Sequence, residues 1–141
     1  MRKRGRAGPT QKGRARWRTV LALTSGPALA LGVFTRVTVA GDSMLPTLVP
    51  GDRLLVLRLV HRPGLRPGRI VTVRDPRAEA DGRVLIKRIA ALDAAGATLV
   101  GDNPAASTDS RTFGPVPVRS ITGTVLYRYG PAGRSGTPAS G

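Results

Sequence analysis

The sequence predicts a mostly β protein, a folded antiparallel β-sheet or barrel preceded by one N-terminal transmembrane helix. Three observations carry this expectation. Six short runs rich in β-branched and aliphatic residues lie between residues 36 and 129, separated by Gly, Pro and Asp turn signals. A charge-free apolar run, 19–35, precedes them. The length of 141 residues leaves room for one domain with tails.

The first 18 residues carry eight basic groups and no acidic one. With almost nothing to bury, this head is expected to be disordered and cytoplasmic. Residues 19–35 would span about 25 Å as a helix, the short end of a membrane crossing. Gly26-Pro27 would kink it, and Trp17 sits where an interfacial aromatic would. Two other readings exist for this stretch. Ala28-Leu29-Ala30 resembles the cleavage site of a removable secretory signal, and the run could instead be a buried helix.

The strands follow in order: Arg36–Val39, Arg53–Leu59, Arg69–Arg74, Arg83–Ile89, Ala97–Val100 and Ser120–Tyr129. Pro50-Gly51-Asp52, Pro67-Gly68, Asp81-Gly82 and Gly101-Asp102-Asn103-Pro104 are the turns around them. A single helical turn is expected near Ser43–Leu48. The Gly/Pro/Ser-rich stretch 131–141 reads as a flexible tail, so the folded domain is 36–130.

The net charge of +15 belongs partly to the head. From residue 37 onward fourteen basic groups face eight acidic ones, a net of +6, so nucleic acid is not an expected partner. The lack of cysteine excludes disulfides, a cysteine nucleophile and cysteine metal sites. His61 is the only histidine and lies in an Arg/Pro/Gly-rich turn, which argues against a Ser-His-Asp triad. No cofactor and no metal are called for.

Twenty arginines accompany three lysines, and only Lys87 lies beyond residue 12. An arginine stays protonated in a protein, whereas a buried lysine can become a neutral amine. Lys87 stands in an apolar strand, among Leu85, Ile86, Ile89 and Ala90. Burial there would depress its pKa toward the range of a general base. Its neighbour Arg88 is expected on the opposite face, meeting water. Ser43, expected at the end of a strand and just ahead of a turn set by Pro46, is the candidate nucleophile. Gly41 leaves space for a substrate backbone, and Met44 offers an apolar wall. In the third block, Gly101 to Arg111, Ser107 can aim the lysine amine while Asp109 and Arg111 brace the loop.

These blocks together resemble the type I signal peptidases. Ser43-Met44-Leu45-Pro46-Thr47-Leu48 with Gly51-Asp52, Gly68-Arg69-Ile70-Val71, Lys87-Arg88-Ile89, Gly101-Asp102-Asn103, Ser107-x-Asp109-Ser110-Arg111 and Phe113-Gly114-Pro115-Val116-Pro117 carry the resemblance over residues 36–130. In compactness the chain is similar to mitochondrial inner-membrane peptidases and to small proteases of nickel superoxide dismutase maturation. The resemblance implies a signal-peptidase-like β domain and a membrane-anchored serine endopeptidase with a Ser/Lys dyad. Ser43 would be the nucleophile, Lys87 the base, Ser107 its orienting partner, and Asp109 and Arg111 structural. Some relatives place a serine two residues before the nucleophile to help the oxyanion hole; Gly41 stands there in this chain, so backbone N–H groups, chiefly that of Ser43, would serve. The Pro-Gly-Asp usual after the lysine strand is Leu92-Asp93-Ala94 here.

The expected function is removal of signal or pro-peptides from exported preproteins after small residues at −1 and −3. The substrate would lie extended along 37–42 and 83–87, touching Asp42, Met44, Leu85 and Ile86. The partners are then preproteins and the lipid bilayer, with the catalytic domain outside the cytoplasm. A maturase dedicated to one pro-protein and a non-enzymatic basic membrane-surface protein are the alternatives.

Overall fold

The computed structural model describes residues 32–58 and 62–139. Six strands form one antiparallel sheet in the order β1-β2-β6-β3-β4-β5. They are β1 Phe34–Thr38, β2 Arg53–Leu57, β3 Ile70–Arg74, β4 Val84–Leu92, β5 Ala97–Val100 and β6 Ile121–Gly130. A four-residue helix, α1, covers Ser110–Phe113. All six predicted runs are strands. β3, β4 and β5 follow one another as neighbours, whereas β6 returns between β2 and β3 and joins the two halves.

Alternation along the strands explains two hydrophobic clusters. On β3, Val71 and Val73 pack with Leu85, Ile89, Leu99 and Ile121. Ile70, of opposite parity, packs with Val39, Met44, Leu48, Leu54, Val56 and Val125. β3 is therefore buried on both faces, unlike the half-exposed β1. Register shifts interrupt β2–β6, β3–β6 and β4–β5, and such bulges bend a sheet around its contents. In the loop from β3 to β4, the Asp81-Gly82 signal is realised by left-handed backbone, φ 43° and 73°.

Several expectations need adjusting. Among the described residues no helix is long and apolar enough to cross a membrane. The anchor expected over 19–35 lies outside the described residues except for its last four, and Phe34 and Thr35 already belong to β1. Their pairing with Leu57 and Val56 explains the earlier start of the strand. Ser43–Leu48 is a run of turns, although Leu48 N–H does donate to Met44 O at 2.9 Å. Residues 131–139, expected as a flexible tail, fold back: Arg128 and Gly136 exchange backbone hydrogen bonds of 2.8 and 2.9 Å, and Pro138 is buried. The polar side chains that hold this segment are too dispersed in sequence to advertise themselves as a motif.

Leu54, fully buried at the joint of β2 and β6, measures what the second cluster contributes. Leu54→Ala should cost about 2–5 kcal/mol in urea unfolding, while Val84→Ala, on a side chain 49% exposed, should stay within about 0.5 kcal/mol.

Candidate active site

The turn that follows β1 is tied at both ends. Val39 N–H donates to Asp52 O at 2.9 Å, and Gly51 N–H donates to Val39 O at 2.8 Å. Between these ties, Met44 and Leu48 sink into the second cluster, 1% and 0% exposed. Their burial pins the turn and leaves Ser43 half-exposed at its start. Ser43 thus lies five residues past the end of β1, in a turn and not at a strand end. Met44 is both core residue and cavity wall.

On β4, Leu85, Lys87 and Ile89 share the buried face. Lys87 stands opposite Val71 and is 2% exposed. Its Nζ donates to Ser107 Oγ at 3.1 Å. Burial pushes the amine below the ordinary lysine range, against the attraction of Asp109; Arg83 and Arg111 add to the lowering, and Asp75 opposes it. Arg88 has the opposite parity, as expected, but it does not meet water. Its side chain is 11% exposed and forks onto Asp102 at 2.8 and 2.6 Å, with further bonds to Gly68 O and Ala139 O. Parity alone gave its face; what covers that face came from the loop after β5 and from the chain's end.

The loop 101–113 is organised by Asp109, which is fully buried. Its carboxylate accepts from Gly101 N–H at 2.8 Å, Ser107 Oγ at 2.6 Å, and Arg111 Nε and Nη2 at 2.9 and 2.5 Å. It also caps α1 by accepting from Arg111 N–H. Burial alone would raise its pKa, but the Arg111 fork, the Ser107 hydroxyl and the backbone N–H groups hold it well below the carboxylate range. Because Ser107 gives its only proton to Asp109, it meets Lys87 as an acceptor. A neutral Lys87 then spends one N–H on Ser107 and keeps its lone pair free.

The same loop clamps the turn of Ser43. Asn103 N–H donates to Ser43 O at 2.9 Å, and Asn103 Nδ2 donates to Asp42 O at 3.1 Å. Gly101 is wedged between them: a Cβ there would lie 2.2 Å from Ser107 Oγ and 2.5 Å from Ser43 O. The positioning roles of Gly101 and Asn103 were missed in the sequence. Both stand in the quoted Gly101-Asp102-Asn103 block, and only spatial contact with the serine turn reveals what they hold.

Ser43 and Lys87 line one cavity of about 220 Å³. Gly41, Asp42, Met44, Leu85 and Ile86 also line it, so every residue expected to touch substrate borders the same space. A Cβ on Gly41 would meet nothing within 4 Å, which leaves this wall open. Ser107, Asp109 and Arg111 stand behind Lys87, with Arg111 reaching solvent. A larger hollow of about 720 Å³ lies around Arg58, Gly96 and Arg119, but neither Ser43 nor Lys87 reaches it. His61 lies outside the described residues.

Residues 14–97 and 93–130 match the family described as signal peptidase, peptidase S26. The chain is also similar to two proteins of Arabidopsis thaliana. It is 40% identical over 123 residues to mitochondrial ATP-independent inner membrane protease subunit 1a, covering 70% of this chain and 72% of that protein. It is 31% identical over 115 residues to subunit 1b, covering 64% and 67%. Sheet, serine turn and buried lysine thus stand within a matched family that spans nearly the whole described domain, and the chain belongs to the signal peptidase family, peptidase S26.

Proposed function

We propose that this protein is a membrane-anchored serine endopeptidase that removes signal or pro-peptides from exported proteins with a Ser43/Lys87 dyad. The observation that carries the reading is a lysine 2% exposed, bonded to a serine whose proton is committed elsewhere, beside a cavity that it shares with Ser43. Ser43 Oγ attacks the scissile carbonyl carbon while neutral Lys87 Nζ takes the hydroxyl proton. The resulting ammonium returns that proton to the leaving amine as the C–N bond breaks. Lys87 then takes a proton from water, the hydroxide attacks the acyl ester, and the C–Oγ bond breaks to release the acid while Lys87 returns its proton to Ser43 Oγ. Backbone N–H groups at the Ser43 turn face the developing oxyanion.

The preprotein lies extended beside residues 37–42 and 83–87, adding main-chain hydrogen bonds to the sheet. A cavity of about 220 Å³ walled by Met44, Leu85 and Ile86 favours small side chains at −1 and −3. The charge-free stretch from residue 19 up to the start of β1 serves as anchor, behind a basic head that keeps its own end cytoplasmic. The similarity to inner membrane proteases supports work at a membrane surface.

Ser43→Ala, Lys87→Ala and Lys87→Arg should each lower kcat/KM on a preprotein by about 10³-fold or more, because arginine keeps the charge but supplies no base. For the wild type, kcat/KM should rise with pH through the depressed pKa of Lys87 and level off above it. Newly formed amino termini, mapped by mass spectrometry across a pH series, check both. Wild-type rates in Lys87→Arg would contradict the dyad.

Burial of Lys87 also has a stability consequence. The folded state lowers its pKa, so at neutral pH the unfolded chain holds the proton more readily and folding carries a penalty. That penalty is complete below the folded pKa and is relieved as pH rises toward the unfolded value. Lys87→Met should therefore abolish cleavage yet raise Tm at neutral pH by a few degrees, with the gain shrinking in alkali. Calorimetry at both conditions reads this directly.

A further inference from the structure

We infer that Arg134 is a positioning residue for the Ser43 turn, through which the C-terminal segment 131–139 straps that turn into its working place; the inference rests on the Ser43/Lys87 reading. The turn ends at Asp52, whose side chain is fully buried. Both carboxylate oxygens are occupied. Oδ2 accepts from Val49 N–H at 3.0 Å, from Arg128 Nη1 at 3.3 Å and from Arg134 Nη2 at 3.3 Å, and Oδ1 accepts from Arg134 Nε at 3.1 Å. Arg134 is the only donor to Oδ1 among the described residues. Without it, a buried anion would keep one oxygen unsatisfied, a condition that proteins relieve by moving the group or admitting water.

The strap holds its own supports. The Arg134 carbonyl accepts from Arg128 Nε, and Arg128 Nη1 donates to Thr47 O at 3.0 Å, in the middle of the serine turn. Further along, Ala139 O accepts from Arg88 Nη1 at 2.9 Å. Arg88 in turn grips Asp102, next to the Gly101 that abuts Ser43 O. The segment thus reaches the turn from two sides, at Asp52 and through Arg88. None of its residues lines the cavity shared by Ser43 and Lys87. Its loss should shift the nucleophile relative to the base while leaving the substrate groove intact.

The expected signature is a KM-against-kcat split. In the full chain, Arg134→Ala should lower kcat by about 10- to 100-fold, the effect of a nucleophile displaced by roughly 1 Å, with KM changed less than about twofold. Arg134→Lys keeps the charge without the fork and should fall between the two. Hydrogen exchange of the same proteins supplies a readout independent of activity. The amides of 44–52, Val49 above all, should exchange faster in Arg134→Ala, while β4 and β5 stay protected. Wild-type kcat in Arg134→Ala, unchanged exchange in 44–52, or loosening spread evenly over the sheet would each overturn the proposal. Should Arg134→Ala fail to fold, Arg134→Lys decides by the same two readouts. A wild type without Ser43-dependent cleavage overturns the dyad reading and the catalytic half of this proposal together, and shows in Ser43→Ala controls. Failure of the strap alone shows only in the Arg134 variants.

Discussion

The geometry around the amine depends on one buried carboxylate. Asp109 accepts from the backbone at Gly101, from the Ser107 hydroxyl and from the Arg111 fork, and by doing so sets the direction of each. The Ser107 proton is drawn away from Lys87. Gly101 is drawn to where it touches the carbonyl of Ser43. An anion so buried is tolerated because charged and backbone donors replace the water it loses. Its net effect is to place a hydroxyl acceptor, and no carboxylate, in hydrogen-bonding contact with the lysine.

That separation of charge recurs through the domain. Asp52, Asp75, Asp102 and Asp109 all pair with arginines, at Arg128 and Arg134, Arg77, Arg88 and Arg111 respectively. Arginine suits this work because its planar fork meets both carboxylate oxygens and never releases its proton. Lys87 is excluded from such pairs. Asp109 attracts its ammonium form from behind Ser107, but burial outweighs that attraction. Holding the amine in this buried position costs folding stability, while the arginine pairs brace the loops around it.

Much of this was legible in the sequence because it was local. Alternation and turn chemistry predicted all six strands, and the solitary lysine in an apolar run predicted its own burial. The Ser107–Lys87 contact was expected from residue type together with the family resemblance, and the geometry agrees with it. What escaped was non-local. Arg88 looked solvent-facing because strand parity gives a face and says nothing of what lies over it. The segment 131–139 looked unstructured because its Gly and Pro residues bury little, and its hold on the sheet comes from Arg134 meeting Asp52 across 82 residues of chain. Ser43 looked like the end of a strand because the ties that set its turn apart, Val39 to Asp52 and Gly51 to Val39, join residues too far apart in sequence to be read there.

The central claim is that burial holds the Lys87 amine below the ordinary lysine range. Titration of the lysine side chains by NMR, with carbon-labelled lysine in the intact protein, tests it most directly, since Lys3 and Lys12 are the only other signals. The account predicts two resonances titrating in the ordinary lysine range and a third, lost in Lys87→Arg, titrating well below it. A Lys87 signal that titrates with the other two would contradict the account.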